Sequence, residues 1–311
     1  MIITVSLNPA IDKTVEIDNF EIGRVNRISS LRRDAGGKGI NVSKTILTLT
    51  GKSRAVGVLA GTSGQFIRQT LDTWGIENDF LFIEGETRTN LKVIDKIKRT
   101  NTDINEAGPS VDDEILGKVG QKILGSIKKG DILVLSGSLP PMARKNIYAD
   151  WTLAARQKGA ITILDADGEP FKSALKASPY LIKPNIHELE AYHGEGIRDI
   201  KKAAELGRRI LIENDISIVS VSLGENGALF LSRHETILAH GLPVKVRSTV
   251  GAGDAMVGAM AYGLEQGYEL ERMITLAIAC GSASVMTEGS EPFSPENVAE
   301  LQKNVKYETV V

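Results

Sequence analysis

From Val111 onward the chain repeats one phrase: a helix-forming segment, then a short apolar run rich in β-branched residues. Helical spacing over about 111–128 leads into DILVLS at Asp131–Ser136, and a helix over about 142–158 leads into Ala160–Leu164. Tyr180–Lys183 is a short strand before a helix, and a helix over about 198–213 leads into SIVSVS at Ser217–Ser222. Strands apolar on both faces and separated by helices are buried in a parallel sheet with helices covering both sides. The N-terminal part joins the pattern, with strands at Ile2–Leu7 and Ala55–Ala60 and helices at Ile40–Leu49 and Gln65–Trp74. Ala228–Ser232 and Glu235–Ala239 read as a hairpin. Helices follow over about 253–267 and 270–287, and Ser294-Pro295-Glu296 opens a last one. No internal repeat or Pro/Ser-rich linker interrupts the chain, so residues 1–311 are expected to form a single α/β unit.

Two stretches break the rhythm. Residues 13–35 and 87–107 alternate loosely and are too polar for central parallel strands. They are expected to pair as a small β-sheet outside the core, a lid inserted in the main unit.

Charge bounds what such a unit binds. Lys plus Arg number 37 and Asp plus Glu 39, a formal net charge of −2, so no broad positive surface for nucleic acid is expected. An anionic ligand must be met by a few local groups. Cys280 is the only cysteine, which excludes an intrachain disulfide and fits a reducing compartment. With four scattered histidines (His187, His193, His234, His240), zinc-ligand spacing is missing. The start MIITVSLNPAID has neither the basic opening nor the apolar core of a signal peptide. No apolar run reaches the ~18 residues of a membrane helix, so a soluble, cytoplasmic protein without a membrane partner is expected.

Glycine is the outlier, 31 of 311 residues, against a typical ~7%. At that frequency the pattern GxG arises by chance about three times, and it occurs three times, so context decides. Gly194–Gly196, in YHGEGIRD, reads as a helix C-cap and loop. Gly251–Gly253, in STVGAGDAMVGAM, opens an apolar helix, whose free N–H groups and dipole hold anions. Asp254 in that first turn is either a helix cap or a base that accepts a proton from an attacking hydroxyl beside a bound phosphate. Gly37–Gly39, in DAGGKGINVSKTI, places Lys38 before a helix with Asn41 in its first turn. This is a phosphate-binding loop or a plain strand-to-helix turn; it is not a Walker A motif, whose GxxxxGK spacing is missing. Asp12 follows the first strand through Asn8-Pro9, at the edge where open α/β sheets bind ligands, or in a simple turn. Asn185 and Glu188 are spaced for helix capping and equally for organising magnesium and its waters near phosphates.

This set of motifs resembles the PfkB/ribokinase superfamily of sugar kinases, from residue 1 to about 305. The resemblance is carried by GGKGINV at 36–42, STVGAGD at 248–254, Lys183-Pro184-Asn185-x-x-Glu188, SGSLPP at 136–141 and Ser222-Leu223-Gly224. Asn8-Pro9 before Asp12, Lys38, and Thr87-Arg88-Thr89-Asn90 resemble the branch acting on ketohexose phosphates, the 1-phosphofructokinases and tagatose-6-phosphate kinases. The stretches 102–109 and 164–169 look more like the former, although Ala107 stands where that pattern usually has proline. The minor bacterial 6-phosphofructokinases usually lack the lysine seen here as Lys38.

The resemblance implies a ribokinase-like fold and ATP- and magnesium-dependent phosphorylation of fructose 1-phosphate to fructose 1,6-bisphosphate. Tagatose 6-phosphate and fructose 6-phosphate are the alternative substrates. It further implies that Asp254 is the catalytic base and that Gly251, Ala252 and Gly253 receive the transferring phosphoryl group. Asp12, Gly37, Asn41, Asn90 and Ser138 line the sugar. Lys38 and Arg88 pair with its existing phosphate, and Arg24, Arg27 and Lys92 either assist or form a solvated lid face. Lys183, Asn185, Ser222, Gly224, Gly227 and Thr249 line the nucleotide, and Asn185 with Glu188 organises magnesium through water. Ala277–Ser284 is the adenine wall or a site of close helix packing. A homodimer through the lid sheet is the implied partner arrangement. A sugar-phosphate-binding regulator without catalysis is the rival class, and intact Asp254 in GAGD speaks against it. A dehydrogenase fails because neither loop gives GxGxxG after a strand.

Overall fold

The structure is a computed structural model and describes residues 1–289 and 291–310. Its strands, in chain order, are β1 (Ile2–Ser6), β2 (Ala10–Ile17), β3 (Ser30–Gly36), β4 (Ser53–Ala60), β5 (Glu77–Ile83), β6 (Arg88–Asp95), β7 (Thr100–Asn105), β8 (Ile132–Ser136), β9 (Ile161–Asp165), β10 (Leu181–Ile182), β11 (Ile218–Ser222), β12 (Ala228–Leu231), β13 (Thr236–Ala239) and β14 (Tyr307–Thr309). Its helices are α1 (Lys38–Thr48), α2 (Gly61–Trp74), α3 (Asp113–Ser126), α4 (Ile147–Gln157), α5 (Gly168–Leu175), α6 (Ile186–His193), α7 (Ile200–Glu213), α8 (Ala252–Glu265), α9 (Leu270–Val285) and α10 (Pro295–Lys303).

Ten strands form the main sheet in the order β14-β13-β12-β11-β10-β9-β8-β1-β4-β5. From β11 to β5 all neighbours run parallel, and β12, β13 and β14 close one edge in antiparallel fashion. The strand sequences explain this. Every residue of β1 and β8 is buried. In β8, Leu133 and Leu135 pack with Val119, Ile123 and Trp151 of α3 and α4, while Ile132 and Val134 pack with Val42, Val257 and Met260 of α1 and α8. A strand covered on both faces has no use for polar alternation. Strand β1 has β4 on one side and β8 on the other, so the chain reverses its direction of travel across the sheet there. Such a switch point opens a crevice beyond the carboxyl ends of the strands.

The small sheet has four strands in the order β3-β2-β6-β7. The stretch 87–107 thus divides into two strands, joined by a turn in which Arg99 has φ +54°. Asp95 holds the lid's loops together: its carboxylate accepts the backbone N–H groups of Asn19 (3.2 Å), Phe20 (2.8 Å), Ile97 (2.9 Å) and Lys98 (3.0 Å). Val15, Ile17 and Val93 form the lid's own apolar cluster. Among the described residues, no helix is long and apolar enough to cross a membrane.

Candidate active site

The crevice is walled by the first turn of α8. Gly251, at φ +81°, turns the chain into the helix, and the first-turn amides have no acceptor within it. Asp254 is 7% exposed, and its Oδ2 accepts a 2.8 Å hydrogen bond from Asn41 Nδ2 in the first turn of α1. Among the described residues no side chain caps α8, so Asp254 spends its carboxylate across the crevice and not on its own helix. The glycine loops at 37 and 251 therefore meet in one place, where Asn41 Nδ2 lies 3.9 Å from the point a Cβ on Gly251 would occupy.

Two lysines enter the same place. Lys38 Nζ lies 3.3 Å and Lys183 Nζ 3.4 Å from Oδ1 of Asp165, which is 1% exposed at the end of β9. A Cβ on Gly253 would stand 3.1 Å from Lys183 Nζ, so that ammonium borders the first turn of α8. Burial pushes the Asp254 carboxyl above its ordinary range, the charge of Asp165 adds to this, and Lys38, Asn41 and Lys183 do not offset it. Asp165 is buried too, but Lys183 and Lys38 outweigh burial and hold it below that range. Burial alone would lower Lys38; the carboxylates of Asp165, Asp254 and Glu188 raise it instead. Asp165 lies in the 164–169 stretch that carries part of the resemblance, but the sequence reading gives it no place in the site. Its signal is a charge closing the apolar run ITIL at the carboxyl end of a buried strand.

The lid supplies the opposite wall. Strand register sets Asp12 beside Asn90, whose Nδ2 donates to Asp12 Oδ1 at 3.0 Å. Burial lifts the Asp12 carboxyl above its ordinary value, against the pull of Asn90 and Lys44. Gly36 leaves room for it: a Cβ there would lie 2.0 Å from Asp12 Oδ2. Arg88 donates from Nε to the carbonyl of Asn8 (3.2 Å) and from Nη1 to that of Glu106 (3.3 Å), while Asn8 Nδ2 donates to the carbonyl of Ala107 (3.1 Å). The motifs also passed over Lys44. It is buried 5.5 Å from the centroid of the Trp74 ring, and burial lowers it to about 8 despite Asp12, Asp34 and Asp254. Arg24 and Arg27 stand exposed on the β2–β3 loop, and Lys92 Nζ lies 3.8 Å from Asp103 on the adjacent strand. Arg24 and Arg27 are thus solvated, while Lys92 is half-buried in its ion pair.

Beyond β10, Asn185 and Glu188 form a full capping box at the start of α6, each side chain accepting the other's backbone N–H at 2.9 Å. This bond uses Oε2 of Glu188 and leaves Oε1 for other partners. Burial raises the Glu188 carboxyl in spite of the Asn185 amide. Among the described residues no three His, Cys, Asp or Glu side chains converge as a metal cage. The residues present fit a magnesium ion held by phosphates and water, with the capping pair outside its shell. Ser222 bridges Asn185 in parallel pairing. Gly224 opens a 3₁₀ turn with free space above it, whereas a Cβ on Gly227 would lie 2.0 Å from the carbonyl oxygen of Ala239. Gly227 is thus needed for backbone packing. Ser138 and Thr249 are exposed on loops. Ala277, Ala279 and Cys280 are buried against α8, so close helix packing accounts for that half of the 277–284 stretch.

The model of the pfkB family of carbohydrate kinases matches residues 5–297. The chain belongs to this family. The kinase is 37% identical over 302 residues to the 1-phosphofructokinase of Xanthomonas campestris pv. campestris, with 95% of this chain and 94% of that protein covered. It is 32% identical over 309 residues to a tagatose-6-phosphate kinase of Staphylococcus epidermidis, with 98% and 99% covered. Its fold matches the tetrameric inhibited form of phosphofructokinase-2 from Escherichia coli at a TM-score of 0.91 and 29% identity, covering 97% and 98%. The kinase is therefore a ribokinase-like phosphotransferase that uses ATP and acts on a carbohydrate hydroxyl.

Proposed function

We propose that this kinase transfers the γ-phosphoryl group of ATP to the 6-hydroxyl of fructose 1-phosphate, giving fructose 1,6-bisphosphate and ADP. The observation that carries the chemistry is the buried Asp254 facing Asn41, between two helix N-termini and beside two lysines. The hydroxyl oxygen forms a bond to γ-phosphorus, the bond from γ-phosphorus to its bridging oxygen breaks, and the hydroxyl proton passes to Asp254. Base assistance of this kind contributes on the order of 10²–10⁴ in rate. The amides of Gly251, Ala252 and Gly253 receive the developing charge, and one such preorganised donor is worth about 2.7–4 kcal/mol. Magnesium, when bound, neutralises phosphate charge. Asn185 and Glu188 would hold its waters, with Lys183, Ser222, Gly224 and Thr249 along the nucleotide.

Asp12, Asn41, Asn90, Gly37 and Ser138 bound the sugar. The contact of Lys38 with Asp165 favours a role at the transferring phosphoryl group. Arg88 is then the candidate for the phosphate the sugar already carries, its planar fork suiting that ligand. A second reading, tagatose 6-phosphate as acceptor, is favoured by the 32% identical relative of that name.

The lid is also our candidate for a homodimer interface in the cytoplasm. Ile22 and Val25 on its β2–β3 loop are 94% and 83% exposed, and Leu31 and Ile104 on its strands 47% and 53%. The substrate reading is tested by ADP release with fructose 1-phosphate, fructose 6-phosphate, tagatose 6-phosphate and free fructose. The highest kcat/KM is expected with fructose 1-phosphate. Preference for tagatose 6-phosphate selects the second reading, and turnover with free fructose alone refutes both.

A further inference from the structure

We propose that Asp165 is a positioning residue for phosphoryl transfer: one of its carboxylate oxygens aims Lys38 and Lys183 at the first turn of α8 and keeps both occupied until phosphates arrive. This rests on the reading that the two lysines meet the nucleotide and the transferring group.

Lys38 opens α1, Lys183 follows β10, and Asp165 ends β9, so three separate elements meet through one side chain. Lysine has a flexible four-carbon stem, and its ammonium is aimed only by what it binds. Asp165, by contrast, is 1% exposed on a strand paired on both sides. Both ammonium groups share its Oδ1, while Oδ2 is buried and has no hydrogen-bond partner among the described residues. An arrangement serving stability alone would satisfy both oxygens. Here the pairing is lopsided: both ammonium groups meet Oδ1, and that of Lys183 borders the first turn of α8.

The charge count gives this a kinetic meaning. Two ammonium groups stand among three carboxylates, those of Asp165, Asp254 and Glu188, so an incoming phosphate must draw the lysines away from Asp165. That competition weakens ground-state binding of the nucleotide and reserves the lysines for the transition state, in which charge moves toward them. Only interactions stronger in the transition state raise kcat. Removing the Asp165 charge should therefore loosen the aim of the lysines without weakening nucleotide affinity.

The test is Asp165→Asn in the full chain, with the ADP dissociation constant from calorimetry and kcat and KM from steady-state kinetics at several magnesium concentrations. The expected result is an ADP dissociation constant unchanged or lower, with kcat down about 10²-fold, as for a displaced catalytic group. Asp165→Glu, which keeps the charge and moves it by one methylene, should recover part of kcat. It carries the same affinity-against-kcat split if the Asn variant loses its cooperative melt. Parallel loss of ADP affinity and kcat overturns the proposal in favour of a structural role. Recovery of kcat at high magnesium overturns it in favour of metal holding. Lys38→Met measured alongside separates the two levels. Wild-type kinetics for Lys38→Met would sink the underlying reading, whereas an impaired Lys38→Met with a normal Asp165→Asn sinks only the positioning role.

Discussion

Gly36→Ala adds a single methyl group and should disable sugar binding while leaving the nucleotide side intact. Gly36 ends β3, and its φ lies outside the left-handed region, so alanine meets no backbone strain. The penalty is steric. The new Cβ would lie 2.0 Å from Asp12 Oδ2 and 2.4 Å from its Cγ, where an ordinary carbon–oxygen contact is about 3.3 Å. The carboxylate must therefore retreat by about 1 Å, which breaks its 3.0 Å bond from Asn90. A hydrogen bond to a charged group is worth about 1.5–3 kcal/mol, and each 1.36 kcal/mol is tenfold. The kcat/KM for the sugar phosphate should fall about 10- to 100-fold, with KM for ATP within about twofold of wild type. Steady-state kinetics with each substrate varied in turn measures both numbers, and a thermal melt checks folding. A Gly36→Ala enzyme with wild-type kcat/KM for the sugar would refute the assignment of Asp12 to that wall. An equal loss for sugar and ATP would refute the idea that the two walls act separately.

Four further outcomes are expected. Asp254→Asn should lower kcat by about 10²–10⁴, and near-normal kcat would remove Asp254 from the base role. The same variant should melt higher than wild type at neutral pH. The folded carboxyl sits above its ordinary 3.8, so its contribution to stability is complete below 3.8 and lost as pH rises through the folded value. The gap between variant and wild type should therefore open with rising pH; a gap that stays constant contradicts the burial argument. Arg88→Ala should raise KM for the phosphorylated sugar about 10- to 100-fold, the cost of a charged hydrogen bond, and a matching rise for ATP would argue against a specific phosphate contact. For the proposed homodimer, light scattering should give twice the chain mass for the wild type and the single-chain mass for Leu31→Glu, on the lid's half-exposed apolar face; a wild-type monomer would refute the dimer, and a dimeric variant would place the interface elsewhere.

The central sheet was legible because its strands are apolar on both faces, as at β1 and β8, and the two glycine loops were legible because helices follow them at once. What escaped has a physical reason in each case. Strand β5 is a half-buried edge whose ENDFLFI begins with three polar residues, helix α5 has only eight residues, and β14 is fully exposed. None of these carries a strong period. Lys44 reads as an ordinary lysine on an amphipathic helix; only the packing of Trp74 and the nearness of Asp12, Asp34 and Asp254 make it a buried cation. Asp165 needed the sheet order itself, since its partners lie 127 and 18 residues away in sequence. At Gly227, where the resemblance implies nucleotide contact, the backbone of Ala239 gives a second reason for a missing side chain that the sequence does not show.

The four amides gathered by Asp95 have a mechanical consequence. They tie the loop after β2 to the turn between β6 and β7, the same two strands that carry Asp12 and Asn90. Strands fastened at both the register and the tips cannot slide past one another, so the lid travels as a plate. Under the proposed function, Asp12, Asn90 and Arg88 would then reach or leave a sugar in one stroke. Capture at this wall would be all-or-none, and a ligand that satisfies only one of the three would gain little from the other two.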